Sequence, residues 1–92
     1  MAAYQVELTA RARKQYKALD PVIRDRIRRT LLGLADDPTP AQVKALAGGD
    51  GLLRVRVGAW RVIYRVERDP VRVVILDIGH RSTVYRRLSA IT

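Results

Sequence analysis

Three arginines within eight residues, Arg54, Arg56 and Arg61, sit in a stretch built to display them. From Leu52 to Glu67 the chain alternates apolar and basic residues around Gly58-Ala59, the pattern of two strands joined by a tight turn. Leu53, Val55 and Val57 share one face of the first strand, with Arg54 and Arg56 on the other. On the second strand Trp60, Val62, Tyr64 and Val66 share a face, and Arg61, Ile63 and Arg65 share the opposite one. Pairing around Gly58-Ala59 brings Arg54, Arg56 and Arg61 to one side of the sheet, backed by an apolar layer. Guanidinium groups gathered there repel one another, so the face calls for an anion. The planar guanidinium fork suits phosphate.

The elements that hold this hairpin are legible on either side of it. Tyr4, Val6 and Leu8 alternate as a first strand. Thr9 reads as a helix N-cap before a helix over 10–19, whose apolar face is Ala12, Tyr16 and Leu19. Asp20-Pro21 restarts a helix, because proline at the first helical position lacks only an N–H that has no intrahelical partner anyway. Ile23, Ile27, Leu31 and Leu34 give that second helix, expected over 21–35, its buried stripe. Arg24, Arg26, Arg28 and Arg29 decorate it as a solvated face or a second nucleic-acid surface. Asp36-Asp37-Pro38-Thr39-Pro40 ends it. The weakly patterned stretch 41–47 has room for one helical turn.

Gly48-Gly49-Asp50-Gly51 is a loop into the hairpin and not a phosphate-binding loop, since no Gly-Lys-Ser/Thr signature or helix follows it. Arg68-Asp69-Pro70 turns the chain into Val71–Ile78, apolar on both faces as a central strand is. The expected fold class is α+β with order β-α-α-β-β-β. A four-stranded, mainly antiparallel sheet in the order first, fourth, third, second carries a helical hairpin on one face and leaves the arginine face open. The 92 residues are read as one domain, 1–92, with one modest core.

Charge narrows the partners. Eighteen Lys and Arg against nine Asp and Glu leave a net charge of +9. That balance favours a polyanionic partner: nucleic acid, a ribosomal or membrane surface, or an acidic protein. Without cysteine there is neither a disulfide framework nor a thiolate metal site. The single histidine, His80, cannot make a metal site alone, and no cofactor motif is present. No apolar run is long enough to span a membrane, and the N-terminus lacks a signal-peptide pattern, which makes the cytoplasm the expected compartment.

The order of short motifs then becomes specific. Leu46-Ala-Gly48, Arg54-Val-Arg-Val-Gly58, Trp60-Arg-Val-Ile-Tyr64 and Gly79-His-Arg81 followed by Val84-Tyr85 resemble the RelE/ParE superfamily of toxins from type II toxin-antitoxin systems. The resemblance runs from Tyr4 to Tyr85 and fits the RelE-like branch best. It implies a ribosome-dependent endoribonuclease, an mRNA interferase that inhibits translation by cutting mRNA. Carried over position by position, Arg54 and Arg56 match two substrate-binding basic residues, often lysine in the family. Arg61, Arg81 and Tyr85 match catalytic positions. The chain differs in using arginine at both lysine positions and in its short Arg81-to-Tyr85 spacing. The implied partners are mRNA on the ribosome and an acidic cognate antitoxin, with a heterotetramer as one form of that complex. The alternatives are a ParE-like inhibitor of DNA gyrase and an inactive member kept for antitoxin or operator binding.

Chemistry bears on the choice. RNA self-cleavage needs the 2′-OH deprotonated, the phosphorane's charge stabilised and the 5′-oxygen protonated. A histidine pair or metal-bound carboxylates usually do this, and neither is legible near the hairpin. Guanidinium groups stabilise the phosphorane, and a Tyr85–Arg pair is left to move protons. Tyrosine titrates near 10 and arginine above 12, so naked RNA is expected to be a poor substrate. Nearby arginines favour phenolate at Tyr85, and the ribosome supplies alignment. Alternatively Tyr85 stacks on a base or simply packs.

Overall fold

A computed structural model describes residues 4–40, 43–46, 51–68 and 71–82. Its elements are β1 (Gln5–Leu8), α1 (Ala10–Lys17), α2 (Pro21–Asp36), β2 (Lys44–Ala45), β3 (Leu53–Val57), β4 (Trp60–Arg68) and β5 (Val71–His80). Both helices start where the capping residues require. The Thr9 hydroxyl accepts from the Ala12 N–H at 3.1 Å, and the Asp20 carboxylate accepts from the Val22 N–H at 3.4 Å with Pro21 in the first turn. Each such cap stabilises a helix by about 1 kcal/mol.

The strands form one mixed sheet in the order β1-β5-β4-β3-β2. β1 lies parallel to β5, and every other pairing is antiparallel. The expected order of four strands holds, with a correction at the far edge. Lys44 and Ala45 pair with Arg54 and Leu53 as a two-residue strand rather than a helical turn. So short a strand has no side-chain period to read, and its pairing is set by backbone groups of β3.

Helices and sheet meet in one apolar layer. Ala12 and Leu19 from α1, and Ile27, Leu31 and Leu34 from α2, pack on Val55, Val57, Val62, Tyr64, Val73, Ile75 and Ile78. At roughly 1.5–3 kcal/mol for each large apolar side chain buried, this layer supplies most of the folding free energy. A register shift in the β4–β5 ladder lets β5 join it. Ile63 faces Asp77 but Tyr64 faces Ile75, leaving Leu76 as an extra residue. A strict period of two would send Ile75 and Ile78 to opposite faces. The bulge sends both into the helix-facing core.

Where β1 stops at Leu8, a side chain continues its work. Gln15 accepts from the Ile78 N–H at 2.8 Å and donates to the Asp77 carboxylate at 2.5 Å. Arg11 lies 3.6 Å from the same carboxylate. Asp77 is 1 % exposed, and these partners offset the desolvation of its charge.

Tyr64 fixes the segment after α2 by donating its phenol proton to the Pro38 carbonyl at 2.5 Å. Burial, with a smaller contribution from Asp37, pushes its pKa up to about 12 from 10.0. The folded state therefore holds this proton where the unfolded chain has lost it. The associated stability is fully present below about pH 10 and is lost as pH rises from about 10 to 12. A spectrophotometric titration of phenolate is expected to show one tyrosine ionising late, and Tyr64→Phe is expected to remove that phase. A Tyr64→Phe titration identical to wild type would show that Tyr64 is not the late group.

Candidate anion-binding face

The hairpin tip sets the geometry. Val57 pairs with Trp60, which leaves Gly58-Ala59 as a two-residue loop. Gly58 has φ +62° while no non-glycine residue among those described has positive φ, the dihedral signature of a type II′ turn whose twist matches the strands. Register then gathers the cations. Arg56 lies directly opposite Arg61, and Arg54 lies opposite Ile63, all on the side of the sheet away from the helix-facing core. Cβ atoms of such pairs are about 5 Å apart.

The face is less open than expected. Arg56 is exposed and Arg54 half-buried, but Arg61 is only 7 % exposed and Ile63 is fully buried. Arg61 folds back over the turn, its Nη1 donating to the Gly58 carbonyl at 3.1 Å and the Trp60 carbonyl at 3.0 Å. Its neighbour on β5 is Gly79, which adds no side chain. The Arg61 Nε is buried and has no hydrogen-bond partner among the described residues. One nitrogen thus fixes the guanidinium's aim.

Arg81 is brought to the same tip through its backbone. Its N–H donates to the Ala59 carbonyl at 2.9 Å, and its side chain is exposed. His80 steadies this connection, its ring meeting Trp60 edge-on at 5.7 Å and 87°. The Ser82 N–H points to His80 Nδ1 at 3.3 Å. Tyr85, the remaining residue of the expected set, lies outside the described residues.

Charge is divided unevenly along this side of the sheet. At the start of β5, Arg72 bonds Glu67 at 2.5 Å and Glu7 at 2.7 Å, and Arg65 approaches Glu67 at 3.1 Å. The Arg72 hydrogen bond holds the Glu67 carboxyl below its usual range, and the same pairing raises Arg72. Arg65 and Arg72 are therefore members of an ion-pair network. At the hairpin tip, no ion pair among the described residues engages Arg56, Arg61 or Arg81. Among the described residues, this end of the face therefore keeps an uncompensated positive charge.

Two further features bear on what the site does. Among the described residues no group of three or more His, Asp or Glu is placed to hold a metal ion, and no helix is long and apolar enough to cross a membrane. Sequence reasoning left one cation out of the site. Arg26, on α2, lies against Gly58 at the hairpin tip, and nothing in its own neighbourhood of the sequence marks it for that position.

Comparison with known proteins gives this arrangement a family. Residues 6–85 match the model of the ParE toxin of the type II toxin-antitoxin system parDE. Toxin RelG of Mycobacterium tuberculosis is 31% identical over 85 residues, covering 91% of this chain and 98% of its own length. The archaeal RelE–RelB complex from Pyrococcus horikoshii contains a chain with TM-score 0.74 and 27% identity, over 88% of this chain and 98% of that one. Isolated E. coli RelE shares the fold with TM-score 0.77 at 24% identity, over 98% and 100% of the two chains. The sheet order, the helical hairpin and the matched span together place this chain in the RelE/ParE superfamily of type II toxin-antitoxin toxins.

Proposed function

We propose that the protein is a RelE-type mRNA interferase that cleaves mRNA on the ribosome. The 2′-OH attacks the adjacent phosphate, the bond to the 5′-oxygen breaks, and the products are a 2′,3′-cyclic phosphate and a 5′-OH. Arg54 and Arg56 bind the substrate's phosphates from a rigid strand. Arg61 and Arg81 oppose the charge that develops on the phosphorane, Tyr85 takes the 2′-OH proton, and the departing 5′-oxygen takes its proton from the Arg81 guanidinium as the bond to phosphorus breaks. The scheme uses side chains alone. The observation that carries it is the tip itself: Arg56 and Arg61 face each other in register, the Arg61 guanidinium is held by the carbonyls of the turn, and Arg81 is tied to the same turn.

The whole chain acts as one toxin domain in the cytoplasm. The relatives solved as RelE–RelB complexes support an antitoxin partner, here an acidic segment that covers the basic tip and folds as it binds. A complex of two toxins with two antitoxins fits that mode. A second reading has its own support, because the matching family model is that of ParE. On that reading the basic face grips DNA gyrase and cuts nothing.

Tyr85 separates chemistry from binding. Tyr85→Phe keeps the ring and removes the hydroxyl, so single-turnover cleavage on programmed ribosomes is expected to fall roughly 10²- to 10⁴-fold, the scale of one acid–base group. Ribosome affinity is expected to stay near wild type. Wild-type cleavage by Tyr85→Phe combined with loss in Tyr85→Ala would make the ring a stacking platform and remove Tyr85 as the base.

A further inference from the structure

Arg26 reaches the hairpin tip from the helical layer. A β-carbon built on Gly58 would stand 3.2 Å from Arg26 Nη2, 3.5 Å from Nη1 and 3.6 Å from Cζ. The two terminal nitrogens of the guanidinium therefore border the space that glycine leaves empty. Arg61 approaches the same residue through the Gly58 carbonyl, at 3.1 Å from Nη1. Two guanidinium groups thus meet one glycine, and Arg56 and Arg81 are joined to the same turn.

Local ion pairing does not explain this position. The acid next to Arg26, Asp25, is occupied by Arg28 at 3.1 Å and Arg29 at 2.9 Å. No ion pair among the described residues engages Arg26. An exposed arginine on a helix can relieve repulsion by extending into solvent, yet this one lies beside a turn that already carries other cations. A shared polyanion reconciles the arrangement, since consecutive phosphates of one strand present charges that a single arginine cannot cover.

We propose that Arg26 is a further phosphate-binding residue. It takes a phosphate neighbouring the one that Arg61 faces, so that single-stranded RNA crosses the tip with Gly58 beneath it. Gly58 serves both halves of this arrangement. Its positive φ makes the turn, and its missing side chain leaves room for the Arg26 guanidinium. Arg26 contributes affinity and register, while bond cleavage stays with the residues on the sheet. This inference rests on the RNA-cleaving reading of the same site.

The test uses ribosomes programmed with an mRNA whose decoding-site codon carries 2′-deoxynucleotides, which bind but offer no nucleophile. Binding of wild type, Arg26→Gln, Arg26→Lys and Arg29→Gln is measured across salt concentrations, and cleavage is followed separately on all-ribose mRNA. Arg26→Gln is expected to bind more weakly, with the slope of log K against log salt reduced by about 0.7, one single-strand phosphate contact. Its cleavage rate at saturation is expected to stay within about threefold of wild type, the signature of lost uniform binding. Arg26→Lys should restore the slope, and Arg29→Gln should match wild type. If wild type binds and cuts while Arg26→Gln keeps the full slope and affinity, Arg26 is not a phosphate contact and the nuclease reading stands. If wild type neither binds nor cuts programmed ribosomes, the nuclease reading falls and takes this inference with it.

Discussion

Arg61→Ala is expected to slow mRNA cleavage on ribosomes by roughly 10²- to 10³-fold, the usual loss when one preorganised donor to a developing oxyanion is removed. The reason lies in how the side chain is held. Its Nη1 is tied to the Gly58 and Trp60 carbonyls, so the cation is aimed before substrate arrives and little reorganisation is needed during reaction. Arg61→Lys retains charge but has no planar fork to serve the turn and a phosphate together. It is expected to recover only part of the rate. Because the side chain also braces the hairpin, the thermal midpoint is measured alongside. A large rate loss at an unchanged midpoint marks a role in catalysis. A loss that follows the midpoint would mean that Arg61 acts by holding the turn.

Ile27→Asp is expected to leave the chain largely unfolded. Ile27 is fully buried between α2 and the sheet. An aspartate there loses the apolar contacts and puts an unpaired carboxylate where no water reaches, at a cost of several kcal/mol. Total stability for a domain of this size is on the order of 5–15 kcal/mol, so one such change removes much of it. Val22→Asp, on the same helix but 67 % exposed, is expected to fold normally. Equal urea midpoints for the two variants would contradict the helix phase described here.

The parts of the fold that could be read from the sequence have local causes. Thr9 and Asp20-Pro21 mark the two helix starts through contacts within three residues. The Ile27–Leu31–Leu34 stripe sets the buried face of α2, and alternation around Gly58 sets the hairpin. What escaped the sequence depends on partners far along the chain. Glu7 reaches Arg72 and Gln15 reaches Asp77 across more than sixty positions, so neither ion pair nor clamp leaves a local trace. The bulge at Leu76 exists only in the pairing with β4. The arginines of the hairpin were visible as a set, but their unequal burial was not. Arg61 is enclosed with its guanidinium bonded to the carbonyls of the turn, whereas Arg56 on the adjacent strand is exposed. Arg26 was visible only as one more cation on a basic helix, since its placement depends on how α2 meets the hairpin tip.

The most direct test of the central claim is to map mRNA 5′ ends by primer extension after incubation with the purified protein, with and without ribosomes, beside Arg61→Ala. The account predicts discrete new ends only when ribosomes are present, carrying 5′-OH termini, and their near absence with Arg61→Ala. Intact mRNA under both conditions, together with inhibition of DNA gyrase supercoiling by the same preparation, would contradict it and assign the basic tip to a protein target.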